Sequence, residues 1–342
     1  MKCSPYGSRR RFSSLTLLRG LSAVGLLALN SCAGVQSALD PSGPIAGEIA
    51  ALWWGMFWAA VAIFTLVLGL LLYAVLPHPD SRRQVQPMRM VVLGGIALPV
   101  AALSVLLPFG FYVGNGATAP LPNEAVTIRV TGRQWWWDIE YVDEEGRRGF
   151  TTANEIYIPV GKPVEIFLTS ADVIHSLWLP RLAGKLDLIP GHTNRLVLEA
   201  DRPGIFRGQC AEYCGIAHAK MALYAVALPP DEFASWAERQ VERAVNKKEG
   251  MVVEGQALFS ANGCPLCHTV RGHQAFGQQG PDLTHVGSRK TIGAGLLDNT
   301  RDNIALWIAR NDDLKPGNRM PDYGHLDRKT RLAIAAYLES LR

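Results

Sequence analysis

Three apolar runs lie in the first third of the chain, and their lengths separate them. The first, Leu15 to Leu29, follows a basic stretch containing Arg9, Arg10 and Arg11 and is shorter than the ~20 residues a membrane-spanning helix needs. It reads as an export signal over residues 1–31. The second, Ile49 to Leu76, and the third, Met90 to Val113, contain no charged residue. At 1.5 Å per residue the second would reach about 42 Å, more than a ~30 Å hydrocarbon core, so it tilts or projects. Trp53, Trp54 and Trp58 near its start and Tyr73 near its end suit the two bilayer interfaces. A buried hairpin of a soluble protein is the alternative, and uncharged runs of this length argue against it. The connection, residues 77–89, carries Arg82, Arg83 and Arg89 against Asp80. That bias predicts a cytoplasmic loop, with everything after Val113 outside.

Beyond Val113 the period changes. After a Gly/Pro-rich linker at 114–124, the runs Ala125 to Tyr141, Glu155 to Val160, Val164 to Thr169, Arg195 to Leu198 and Leu223 to Leu228 are rich in Val, Ile, Thr and aromatics. They predict short strands of a small β-sandwich or Greek-key barrel over residues 125–229. Residues 230–249 are a polar helical pattern ending at Gly250 and read as a spacer. From 250 to 342 the pattern is helical around a long glycine-rich loop, which predicts a small all-α domain.

Composition agrees with membrane segments: 48% of the 342 residues are hydrophobic and the mean hydropathy is +0.09. The net charge of +4 comes from the leader, because Lys2, Arg9, Arg10, Arg11 and Arg19 stand there without an acid. The remainder is about −1, and nucleic-acid binding is not indicated. Leu29-Asn30-Ser31-Cys32 resembles a lipobox, so Cys32 is either the lipidated start of an outer tether over 32–48 or a spare thiol after a plain cleavage site. The arginines at 9–11 leave a twin-arginine signal open beside an ordinary basic one.

The chemistry concentrates in two places. Cys210, Glu212, Cys214, His218 and Met221 fall within GQCAEYCGIAHAKM, a thiolate, imidazole and thioether set that suits copper. Cys-x-x-x-Cys on a loop lets two thiolates bridge two metals, and His175 in ADVIHSLWLP is the best placed imidazole to complete the set. A disulfide or a structural zinc would leave Met221 unexplained. Cys264-Pro-Leu-Cys267-His268 is the C-x-x-C-H signature of covalent haem attachment. Trp135, Trp136 and Trp137 cannot all face one core if they continue a strand, so at least one is expected at the surface. The acids Asp138, Glu140, Asp143, Glu144 and Glu145 either steer a basic partner or form a solvated turn.

From about Ile49 to Leu228 the chain resembles subunit II of the haem–copper cytochrome c oxidases, through GRQWWWDIEY, ADVIHSLWLPRL and GQCAEYCGIAHAKM. The resemblance implies a multidomain membrane protein with a two-helix transmembrane hairpin (49–76 and 90–113) and a cupredoxin-like Greek-key domain holding a binuclear CuA centre. His175, Cys210, Cys214, His218 and Met221 would bind copper by side chains and Glu212 by its backbone carbonyl. The Glu212 side chain would hold magnesium at the border with subunit I, and Trp135 would be where electrons enter. From about Met251 to Arg342 the chain is similar to a class I cytochrome c. Cys264 and Cys267 would form thioethers to haem c, with His268 and Met320 on the iron, a pair that raises its potential. His273, His285 and His325 are the other imidazoles available, and they are expected in solvated loops. Gly280-Pro281-Asp282-Leu283 matches the family loop beside the haem histidine, and Gly255, Phe259, Ile334 and Tyr337 match its helix crossing.

Fusion of the two resembles the caa-type oxidases. It implies an electron-accepting subunit of cytochrome c oxidase in a bacterial cell membrane, multi-pass, with both soluble domains on the periplasmic side. Its partners would be subunits I and III, membrane lipid, and a soluble cytochrome c or the bc complex as donor. Electrons would pass from haem to CuA to subunit I, where dioxygen is reduced to water with proton translocation. A subunit of a CuA-containing nitric oxide reductase would carry the same features, whereas a tethered electron shuttle would not need the hairpin. One departure stands out: Val92 occupies a place where this family commonly carries glutamate, and no acid occurs from Ser81 to Asn123. The resemblance therefore supports electron delivery more than proton uptake through this subunit.

Overall fold

A computed structural model describes residues 34–76, 86–116, 125–143, 146–245 and 250–342. The leader, Cys32, the arginines at 82 and 83, and Glu144 and Glu145 lie outside these. Helix α1 (Pro44–Val75) opens with proline in its first turn, where the missing N–H costs nothing. It starts before the apolar run because its first turns belong to the soluble part. Ile45, Ala46 and Ala50 are buried, and a Cβ on Gly43 would stand 2.2 Å from the Glu199 carbonyl oxygen. The stretch read as an outer tether is accordingly tied down: Asp40 pairs with Arg181, and the Asp201 amide donates to the Ser42 carbonyl.

The second apolar run forms α2 (Pro87–Val92), a π-type turn over Leu93–Ala97 and α3 (Leu98–Gly116). The widened turn begins right after Val92. Both long apolar helices are long enough to cross a bilayer. Trp58, Phe64, Val105 and Phe111 are among the side chains they leave exposed, as a lipid-facing surface requires.

Ten strands build the sandwich. One sheet runs β3–β2–β1–β5–β8 and the other β4–β10–β9–β6–β7. The first comprises β1 (Val126–Arg133), β2 (Trp136–Val142), β3 (Arg148–Ala153), β5 (Val164–Ser170) and β8 (Asn194–Leu198); the second comprises β4 (Glu155–Pro159), β6 (His175–Trp178), β7 (Leu186–Leu188), β9 (Gly204–Cys210) and β10 (Ala222–Leu228). Alternation makes the core: Trp137, Ile139 and Tyr141 of β2, with Ile128 and Val130 of β1 and Val164, Ile166 and Leu168 of β5, all point inward. The run Ala125 to Tyr141, expected as a single strand, is an antiparallel hairpin instead. Gln134 and Trp135 are its turn, pairing Arg133 with Trp136. Strands β3, β7 and β9 were not anticipated, because glycine, arginine and aspartate interrupt their apolar pattern.

Helix α4 (Pro230–Val241) corrects the spacer expectation. It ends well before Gly250, and its Trp236 stacks on Tyr157 with ring centroids 4.2 Å apart, closing over β4. Arg271 of the following domain donates to the Gln240 and Val241 carbonyls, so the segment is held at both ends.

The last domain contains α5 (Gly250–Ala261), α6 (Arg301–Leu314) and α7 (Arg328–Ser340), with two short hairpins, one of β11 (Thr269–Val270) and β12 (Ala275–Phe276) and one of β13 (Thr291–Ile292) and β14 (Leu297–Asp298). Thr300 and Asp327 cap α6 and α7 by accepting from the amides of Asn303 and Thr330. Helices α5 and α7 cross so closely that a Cβ on Gly255 would lie 1.9 Å from the Ala333 carbonyl oxygen, and Phe259 packs on Tyr337. This domain rests on the sandwich. Glu155 accepts from the Lys290 and Thr291 amides, Thr151 donates to Asp282, and the Ala222 amide donates to the Ala294 carbonyl.

Candidate metal centres

The copper-type residues of the sequence meet at one end of the sandwich. Cys210 closes β9, His175 opens the adjacent β6, and Cys214, His218 and Met221 follow on the loop into β10. The sulfurs of Cys210 and Cys214 are 3.8 Å apart and unlinked. On one side His175 Nδ1 lies 3.9 Å and the Glu212 carbonyl oxygen 3.2 Å from the Cys210 sulfur. On the other, His218 Nδ1 lies 3.6 Å and the Met221 sulfur 4.0 Å from the Cys214 sulfur. His175, Cys210 and Cys214 offer ligand atoms within 4.8 Å of one another. All six sequence candidates are therefore brought together. The Glu212 carboxylate is turned elsewhere, accepting from the Tyr213 amide.

Electrostatics prepare one thiol of the pair for metal. The Cys210 thiol lies far below its ordinary range, because the Cys214 thiol and then the His175 ring hydrogen-bond to it, and the same contact pushes Cys214 up. Burial opposes a charge on His175, yet its bonds to Cys210 and Asp172 prevail and raise it. Its Nε2 lies 2.8 Å from Asp172 Oδ1, which leaves Nδ1 toward the sulfurs, the arrangement by which a carboxylate fixes a ligand imidazole. A Cβ on Gly132 would come within 2.6 Å of that ring, so only glycine admits it. Asp172 and Gly132 escaped the sequence reading. The first carried a signal, an acid three residues before the ligand imidazole; the second becomes visible only when β1 lies beside His175.

Trp135 differs from expectation in its exposure. None of the three tryptophans is exposed: Trp137 is in the core, Trp136 is half-buried under Arg133, and Trp135 is only 7% exposed. The three side chains do not alternate as on a continuous strand, because Trp135 sits in the hairpin turn. Its indole N–H donates to the Cys214 carbonyl at 2.9 Å, alongside the Gln134 side chain at 2.8 Å. Its outer side is covered by the helical domain, where Gly317 lies against the ring.

In the helical domain Cys264, His268 and Met320 line one cleft with Phe259, Leu283 and Ile308. The His268 Nδ1–H donates to the Pro281 carbonyl at 2.8 Å, leaving Nε2 for the cleft. Burial pushes the ring below its ordinary range, so it stays neutral and able to ligate. A Cβ on Gly280 would lie 2.5 Å from His268. Apolar walls, an imidazole and a thioether fit a haem with Met/His ligation. Cys267 does not line the cleft; its sulfur faces Gln279 at the surface. His273 bonds the Tyr337 hydroxyl and His325 is exposed, while His285, expected in a solvated loop, is buried and bonded to the Glu242 carbonyl. None of the three lines the cleft.

The acidic run is largely neutralised. Glu140 pairs with Arg129 and Arg148, Asp138 with Arg133, and Asp143 with Arg147.

Residues 144–227 match the family model for the periplasmic domain of cytochrome c oxidase subunit II, and residues 252–342 match that for cytochrome c. The chain is 35% identical to cytochrome c oxidase subunit 2 of Alkalihalophilus pseudofirmus, covering 92% of this chain and 94% of that one. It is 27% identical to that of Bacillus subtilis, covering 76% and 77%. Among solved structures, the periplasmic domain of cytochrome oxidase subunit II from Bradyrhizobium japonicum matches at 36% identity, with 35% of this chain and 96% of that one covered and a TM-score of 0.33.

Proposed function

The chain belongs to the cytochrome c oxidase subunit II family and carries a cytochrome c domain behind its copper domain; we propose that it collects electrons at the haem and hands them through CuA to subunit I. In this reading Cys210, Cys214, His175, His218, Met221 and the Glu212 carbonyl would hold the copper of the centre. Cys264 and Cys267 would attach the haem, His268 and Met320 would ligate its iron, and Trp135 would be the point of electron entry to the copper loop. The Glu212 carboxylate holds magnesium at the border with subunit I. When bound, haem and copper would supply one-electron chemistry.

The protein's own part is to hold ligands in place and keep water out. Asp172 fixes the His175 ring, the Pro281 carbonyl fixes His268, and Cys210, Cys214 and Met221 are sealed from solvent. A set in which protein atoms fill every position leaves none open for a substrate, as electron transfer requires. The basic, apolar leader and the arginines at 82, 83 and 89 support soluble domains on the periplasmic face, with Cys32 as a candidate lipid anchor. Subunit III, and a soluble cytochrome c or bc complex as donor, complete the assembly. Dioxygen is reduced to water in subunit I, with proton translocation; the uncharged second span argues for proton uptake elsewhere.

One observation carries this reading: two thiol sulfurs 3.8 Å apart with an imidazole beside each. Met221→Leu or His218→Ala is expected to abolish the near-infrared mixed-valence copper band and leave the c-haem spectrum intact. An unchanged copper band would overturn the assignment.

A further inference from the structure

The contact between the helical domain and the sandwich has a buried cation at its centre. Lys315 follows directly after α6 and is only 3% exposed. Its ammonium donates to the Trp135 carbonyl at 2.6 Å and to the Gly293 carbonyl at 2.9 Å. One acceptor belongs to the copper domain and the other to the haem-bearing domain, so the ammonium bridges the two. Removing an ammonium from water is costly unless its donors are met, and burial pushes Lys315 down to about 7. An apolar side chain would fill the space at less cost but would leave the Trp135 carbonyl without this donor.

Other contacts surround this bridge. Gly317, at φ +78, lies against the Trp135 ring, where a Cβ would come within 3.2 Å of it and 3.0 Å of Ile216. Lys220 donates to the Leu314 carbonyl, and the Ala222 amide at the start of β10 donates across the interface to Ala294. At the far edge Glu155 receives the Lys290 and Thr291 amides. On the other side of its ring, Trp135 bonds the Cys214 carbonyl. The indole is thus enclosed between the copper loop and this chain's own helical domain.

We propose that Lys315 is a positioning residue that pins the haem-bearing domain onto Trp135, closing that tryptophan to soluble cytochromes and presenting it to the fused domain alone. The assignment of the two redox centres rests on the function proposed above; the pin itself rests on contacts between protein atoms.

Hydrogen exchange in the full chain within the purified oxidase tests it, with the Ala222 amide as reporter of docking. Lys315→Met is expected to speed Ala222 exchange at least tenfold and to leave the amides of Ile128, Ile139 and Ala335, inside the two domains, unchanged. An Ala222 rate within twofold of the unaltered chain overturns the pin. A second measurement needs no variant to fold: acetylation of the unaltered protein should modify the exposed Lys185 and Lys329 and spare Lys315. Labelling of Lys315 as fast as these two also overturns it. Missing copper and c-haem spectra in the unaltered chain would sink the functional reading alone; intact spectra with unchanged Ala222 exchange sink the pin alone.

Discussion

The copper end of the sandwich and the cleft of the helical domain are two ways of preparing a metal site. At the copper end the donors already stand within 3.2 to 4.0 Å of the two sulfurs, and hydrogen bonds from outside fix their orientation. In the helical domain, Cys264, His268 and Met320 line one cleft whose other walls are mostly apolar side chains. The sandwich keeps its ligands at one end of its aromatic and aliphatic core, whereas in the helical domain the core side chains Phe259, Ile308 and Ile334 themselves line the cleft. On the proposed reading copper would join a finished frame, whereas haem would complete the core. The largest expected effect follows. Cys264→Ser with Cys267→Ser should deprive the helical domain of covalent haem and of its cooperative melting transition. The sandwich should keep its fold and its copper band. A helical domain that melts cooperatively without haem would break the distinction.

A sharper cut separates frame from ligand. Asp172 touches no sulfur, yet its carboxylate holds the His175 ring at 2.8 Å and its other oxygen receives the Gln134 amide at 2.7 Å. Asp172→Asn keeps the shape and removes the charge. Loss of such an outer partner typically weakens metal binding 10- to 100-fold, about 1.4 to 2.7 kcal/mol. The copper affinity of the variant should fall in that range, while the melting of the sandwich moves little, because the core of Trp137, Ile139 and Leu168 is untouched. Equal losses in affinity and melting would mean that frame and ligand shell are one unit.

What could be read from the sequence follows the same division. The ligand residues were legible because their chemistry is unusual and their spacing short: Cys210 to Met221 lie on one loop, and Cys264 to His268 on one turn. The long apolar runs declared themselves by length. Features that depend on two distant segments meeting were not legible. The turn at Gln134 and Trp135 interrupts what reads as one continuous strand, and the covering of Trp135 depends on Gly317, far along the chain. Trp236 looked like one residue of a polar helix until Tyr157 was found beneath it. Glu155 and Lys315, each buried at the contact between domains, carry no local pattern at all, since each has backbone partners in the other domain.

The smallest effect concerns the charges on β2, where the fixed polar frame reaches the surface. Glu140 accepts from Arg129 and Arg148 on the strands at either side. Burial alone would raise its carboxyl, but the Arg148 and Arg129 bonds outweigh burial and hold it below the usual range. A carboxyl so lowered stabilises the fold at pH values above its unfolded pKa, near 4.3, and that contribution disappears as pH falls through the lower folded value. Exposed pairs of this kind contribute about 0.2–1 kcal/mol. Glu140→Gln should therefore cost the sandwich less than about 1 kcal/mol at pH 7, with the two melting curves converging as the solution is acidified below pH 4. Because its charge is already taken by two arginines, the substitution should leave the oxidase's KM for a soluble cytochrome unchanged. A several-fold rise in KM would mean that these acids form a docking surface, and that the frame around the copper faces a partner as well as a metal.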